Sequence, residues 1–158
     1  MFVDLVSILN QYGNTSVEQI KRNLASTGTN ATGRTAQSLR YTVTNEGDKL
    51  VLQIIGKPYI AVVETGRKPT PEYTKPSYDF VNSIKEWLTA KGGDPSSAYA
   101  IAKNIHQHGT KLFQKGGRQD IISNVINQGL VNNISKDILN KFASQLVLNI
   151  KQVYGTSN

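Results

Sequence analysis

A chain without cysteine must do any chemistry with carboxylates, histidines and hydroxyls. Glu64 stands out because of its company: it lies in the run Tyr59–Arg67, YIAVVETGR, which is apolar enough to belong in a core. A carboxylate among apolar neighbours is either an acid or base tuned by burial in a cleft, or a structural charge satisfied by partners. No second carboxylate lies at a spacing that suggests an acid–base pair, so the structural role is expected, with Arg67, Lys68 or a helix end as the partner. His106 and His108 are two residues apart, so on a helix they face different directions and do not share a metal readily. They are expected as helix-end histidines near the negative end of the dipole. GTNATGRT, Gly28–Thr35, has glycines but no Gly-Lys-Ser/Thr ending, and no Gly-x-Ser-x-Gly elbow occurs. No catalytic residue, metal or cofactor is assigned. Tyr73 and Tyr78 flank Lys75, an arrangement suited to stacking bases, but more simply to a loop that packs its tyrosines on a neighbouring protein.

The elements that must position these residues follow from periodicity. Residues 3–11 predict a short helix stopped by Gly13, and Thr15 or Ser16 caps a second helix with Val17, Ile20 and Leu24 on one face. Ser26–Gly33 has loop composition. Arg34–Leu39 predicts a turn or short helix. Arg40–Asn45 and Lys49–Ile55 alternate as strands about the turn NEGD, Asn45–Asp48. The second strand is apolar on both faces, so one face is expected on helices and the other against another protein. Tyr59–Thr65 is open between strand, from its β-branched residues, and helix, from the spacing of Tyr59, Val62 and Val63. RKPTPEYTKP is an extended loop. Ser77–Lys91 predicts a helix, and Asp94 with Pro95 starts another that buries Tyr99, Ala102 and Ile105 and ends at Gly109. GTKLFQKGG is expected as a loop exposing Leu112 and Phe113, followed by helix over Arg118–Gln128. Asn133 is expected to cap a final helix, 133–154, with Ile134, Ile138, Phe142, Leu146 and Ile150 recurring every four residues. The class is α+β: a small, hairpin-based antiparallel sheet packed against several helices, in a single domain over 1–158.

Composition narrows the partners. The chain has 158 residues, no cysteine and a formal net charge of +7. Without cysteine there is no disulfide or thiolate chemistry. MFVDLVSILNQYG lacks the features of a signal peptide, and no apolar run approaches the ~18 residues of a membrane span, so a soluble protein is expected. The positive balance favours contact with nucleic acid, an acidic membrane surface or an acidic partner. Residues 57–118 hold ten Lys or Arg against five Asp or Glu, spread thinly. No zinc finger, RNA-binding aromatic motif or basic helix is present.

The order of segments resembles one family. ATGRTAQSLRYTV, then KLVLQIIG, then PYIAVVETGRKPTP is similar to the tailed-bacteriophage neck family of head–tail joining and tail-completion proteins. The matching positions are Thr32, Gly33 and Ser38, then Tyr59, Ala61, Glu64 and Gly66, then Pro69 and Pro71. Arg34 and Thr35 stand where the family has Leu after the glycine, and Ile60 follows Tyr59 where Ala is commoner. The likeness covers residues 15–90. AYAIAKNIHQHGTKLFQKGG, within 92–130, is similar to a helical insertion of larger members.

The resemblance implies a structural virion protein: a homo-oligomeric ring in the phage neck that joins portal and head to tail, lets genomic DNA pass, and is assembled in the host cytoplasm. It implies no catalysis, no cofactor and no membrane. Portal, neck and tail proteins would be its partners, with non-specific contact to DNA in the channel. Glu64 would then pair with a basic residue of its own or a neighbouring subunit, Gly66 would permit a tight backbone turn, and Lys68–Pro76 would be a stiffened arm. The implied interface is Tyr59, Glu64, Gly66, Arg67, Lys68, Pro69, Pro71, Tyr73, Leu112 and Phe113. Two other classes stay open at the level of sequence: a small basic nucleic-acid-binding module, and a small hydrolase or modifying enzyme in which Glu64 would be the first residue to replace.

Overall fold

The computed structural model describes residues 2–70 and 74–154. Helix α1 (Phe2–Ser26) leads to the short α2 (Arg34–Ser38) and the hairpin β1 (Arg40–Glu46) and β2 (Lys49–Ile55). A 3-10 turn at Pro58–Ala61 runs into α3 (Val62–Thr65). Helix α4 (Tyr78–Ala90), a 3-10 turn at Pro95–Ser97, α5 (Ala98–His108), α6 (Lys111–Gln114) and α7 (Gln128–Tyr154) complete the chain. The fold is α+β, with a two-stranded antiparallel sheet against helices.

The expected break at Gly13 does not occur, and α1 is one continuous helix. Leu9, Gly13, Val17, Ile20 and Leu24 lie along a single buried stripe. A Cβ on Gly13 would stand 2.4 Å from the Tyr41 ring and 2.9 Å from Leu52. The glycine is therefore a notch that lets the sheet settle onto the helix, and packing outweighs its poor helix propensity.

The hairpin is as expected. Glu46 faces Lys49 across the two-residue loop Gly47–Asp48, and Gly47 alone in that loop has positive φ, 74°, the II′ arrangement. Tyr41, Val43, Leu52 and Ile54 share one face through the pairs Tyr41↔Ile54 and Val43↔Leu52. Tyr41 and Ile54 pack on the core of Val17, Ile20, Leu24, Leu39 and Ile121.

Tyr59–Thr65 resolves as helical, with Pro58 at the first position of its 3-10 turn. Ser77 caps α4, its Oγ accepting from the Phe80 N–H, and Asp94 caps the 3-10 turn before α5. Tyr99, expected inside, is half exposed, and Ala98, Ala102 and His106 form the buried side of α5. The expected helix over Arg118–Gln128 is replaced by turns at 120–127, for a reason given below. Asn127, not Asn133, starts α7: its Oδ1 accepts from the Leu130 N–H. Helix α7 leans on α1 through Tyr12 to Asp137 (2.7 Å) and Lys141 to Asp4 (3.3 Å). Val131, Leu139 and Phe142 remain exposed along it. Leu146 and Ile150 have side chains outside the described part. Among the described residues, no helix is long and apolar enough to cross a membrane.

Candidate functional site

Glu64 is only 7% exposed. Its Oε1 accepts the backbone N–H groups of Ile121 (2.9 Å), Ile122 (2.5 Å) and Ser123 (3.0 Å), and its Oε2 accepts the Ser123 hydroxyl (2.5 Å). Successive amides converging on one oxygen form an anion-binding nest. Here the protein supplies its own anion. Burial pushes the Glu64 pKa up, but the Ser123 hydroxyl and the backbone donors of Ser123, Ile122 and Ile121 together outweigh it, so the carboxyl is held below its ordinary value. A carboxylate with both oxygens committed in this way is a weak proton acceptor, suited to holding backbone rather than moving protons.

The nest also explains why 120–127 is not helical. Amides that would be spent on i−4 carbonyls turn toward Glu64 instead, and Asn23 of α1 donates to the Ile121 carbonyl from the other side (2.9 Å). Ile121 is thereby carried into the core, fully buried. The expected partners Arg67 and Lys68 make no ion pair with Glu64.

Residues 64–70 stitch three segments together. The Arg118 N–H donates to the Glu64 carbonyl (2.9 Å), the Thr110 N–H to the Arg67 carbonyl (2.9 Å) and the Thr70 N–H to the His106 carbonyl (2.8 Å). The Thr110 hydroxyl accepts from the Arg67 N–H (3.1 Å) and caps α6 by accepting from Phe113 (3.2 Å). Gly66, at φ 72°, has no room for a side chain: a Cβ would stand 2.4 Å from the Phe113 nitrogen. Gly66 thus serves the expected turn and a backbone contact that spacing did not reveal. Leu112 and Phe113, expected as exposed loop residues, are half-buried on α6. Glu64 and Gly66 are buried inside the chain, with the Glu64 carboxylate turned to the backbone of 121–123.

Arg67, next in line, behaves differently. Its guanidinium stacks on Phe80 at 3.6 Å from the ring centre, and burial lowers its pKa, though an arginine stays charged. No side-chain hydrogen bond or ion pair joins that guanidinium to a described residue. It lines an open cleft of about 630 Å3 together with Arg34, Lys57, Tyr59, Phe80 and Trp87. Tyr59 is 43% and Trp87 45% exposed, and Lys57 lies over the Tyr59 ring at 5.9 Å. Arg34 pairs with Glu86 at the rim. Trp87 and Phe80 come from α4, Arg67 and Tyr59 from the segment around α3, and Arg34 from α2, so only the tertiary fold assembles the cleft.

Of the other expected interface residues, Lys68 and Pro69 are exposed, and Pro71 and Tyr73 lie outside the described residues. His106 is buried with Nε2 3.2 Å from the Thr74 hydroxyl, whereas His108 is exposed with Nδ1 3.1 Å from Asn104. Among the described residues, no group of three or more His, Asp or Glu is placed to hold a metal ion. Sequence reasoning missed Ser123, Asn23, Phe80 and Trp87 as parts of this region, because each acts through a contact distant in the chain. Comparison with protein-family models, with curated proteins and with solved structures finds no match to this chain.

Proposed function

We propose that the protein is a non-catalytic structural subunit of a phage virion, a homo-oligomeric ring of the neck that joins head to tail around the DNA channel. The ordered segments Thr32–Gly33, the hairpin, Tyr59–Gly66 and Pro69 carry this reading, through their resemblance to head–tail joining and tail-completion proteins. Two features support it. Val131, Leu139 and Phe142 leave an apolar stretch of α7 without cover, and Tyr59 and Trp87 do the same beside three cations; Trp, Tyr and Arg are the residues on which interfaces depend most. The net charge of +7 suits a channel that attracts phosphate weakly enough to let DNA slide. The portal, neighbouring neck proteins and tail proteins are the partners, and the exposed Lys68 and Pro69 offer part of a surface to them.

The test is the mass of the purified protein by light scattering after size exclusion, at low and at physiological salt. A discrete ring-sized oligomer, or a monomer that closes into one when mixed with portal or tail proteins, is the expected result. A stable monomer that ignores virion proteins and binds DNA tightly, with an affinity that falls steeply with salt, overturns the reading in favour of a nucleic-acid-binding module.

A further inference from the structure

We propose that the cleft around Arg67 receives the acidic hairpin tip, Glu46–Asp48, of a second copy of this chain. The inference rests on the ring reading above and names the contact that would close the ring.

The cleft presents three cations, Arg34, Lys57 and Arg67, and of these only Arg34 has a carboxylate partner among the described residues. Its complement is found by asking which carboxylates are uncommitted. Asp4, Glu18, Glu86 and Asp120 are in ion pairs, and Glu64, Asp94 and Asp137 accept hydrogen bonds from side-chain hydroxyls. Asp79 lies in the first turn of α4, where the helix dipole favours it. Glu46 and Asp48 have no such partner among the described residues, and both are exposed on a two-residue turn. Among the described residues Glu46 and Asp48 thus form an exposed acidic projection outside any ion pair, and the Arg67 cleft is a recess of opposite charge.

Their placement makes the contact directional. Lys57 and Tyr59 follow directly on the base of the hairpin, and Glu46 and Asp48 stand at its tip, seven residues along the strand. At about 3.3 Å per residue the two ends are about 20 Å apart, so a tip cannot fill its own cleft. Tip into the next copy's recess is a head-to-tail contact, the kind that closes into a ring by rotation. A two-residue turn is narrow enough to enter, with a carboxylate for the Arg67 fork and the Trp87 ring left to cover the backbone.

Charge reversal tests this in the full chain. Trp87 is the only tryptophan, so its emission reports on the cleft directly. Wild type should show a shift of that emission to shorter wavelength with rising concentration, in step with the rise in mass. Arg67→Glu alone and Glu46→Lys/Asp48→Lys alone should each need at least tenfold higher concentration to assemble. An equimolar mixture of the two should assemble like wild type, because each variant's tip then matches the other's recess. Lys57→Glu, which removes an exposed side chain, replaces Arg67→Glu if the latter melts early by circular dichroism. Variants that assemble like wild type would overturn the tip-to-cleft contact and leave the ring reading standing. Wild type that stays monomeric with unchanging emission would overturn the contact, while the mixing experiment with portal and tail proteins still decides the ring. A single-stranded oligonucleotide that shifts the emission of a monomer at physiological salt would overturn it in favour of a nucleic-acid site.

Discussion

Glu64 and Arg67 are three residues apart, and the fold treats their charges in opposite ways. Glu64 is enclosed, with both oxygens taken by Ile121, Ile122 and Ser123. Arg67 is half-buried against Phe80, in no ion pair with a described residue, and opens on a cleft. A buried charge is tolerated only when its hydrogen-bonding capacity is filled, so the fold closes on Glu64. A guanidinium resting on an aromatic face is stabilised in part while its donors remain available, so the same segment can offer Arg67 outward. One short stretch thus holds the tertiary structure with one charge and leaves the next open to the cleft.

The largest expected effect is at the enclosed charge. Glu64→Ala leaves the amides of 121–123 without their acceptor and should cost about 3 kcal/mol or more in urea denaturation, whereas Glu64→Gln keeps an acceptor and should cost about 1–2 kcal/mol. If the two variants prove equally mild, the nest is not what holds the 120–127 turns. Gly66, between the two charges, should come next. Gly66→Ala places a Cβ against the Phe113 backbone at positive φ, and a loss of about 2–3 kcal/mol is expected, seen as a lower thermal midpoint.

The comparison sharpens with pH. Glu64 has its pKa lowered on folding, so its contribution is fully present above the ordinary carboxylate range and is lost as pH falls through the lowered value. The stability gap between wild type and Glu64→Gln should therefore be constant near neutrality and shrink on acidification. Taking the difference cancels Asp4, Asp94 and Asp120, whose pKa values are lowered too. A gap that widens in acid would contradict the assignment. The smallest effect on stability is expected at the open charge: Arg67→Lys keeps the cation but loses the planar stack on Phe80, costing about 0.5–1 kcal/mol in thermal unfolding. The same variant should weaken self-association more than it weakens the fold.

Much of the architecture was legible because it depends on near neighbours in the chain. The hairpin about Gly47–Asp48, the Ser77 and Asp94 caps and the stripe Ile134, Ile138 on α7 are all set by spacing and turn chemistry. Gly13 misled, since a glycine that ends a helix and one that admits a neighbouring ring are the same letter. The 118–128 segment misled for a related reason. Its apolar periodicity suits a helix, but the acceptor that draws its amides away is 57 residues earlier in the chain.

For the site, the sequence by itself determined that Glu64, a carboxylate among apolar neighbours, would need donors, and it singled out the segment Tyr59–Pro69. Residue type and apolar company suffice for that, because a carboxylate in a core must find donors. Only the tertiary structure decided which donors, by bringing the backbone of 121–123 to α3, and only it placed Trp87 and Phe80 beside Arg67. Partners of that kind are selected by how helices pack rather than by spacing along the chain, and backbone amides, which every residue but proline carries, leave no mark in the sequence.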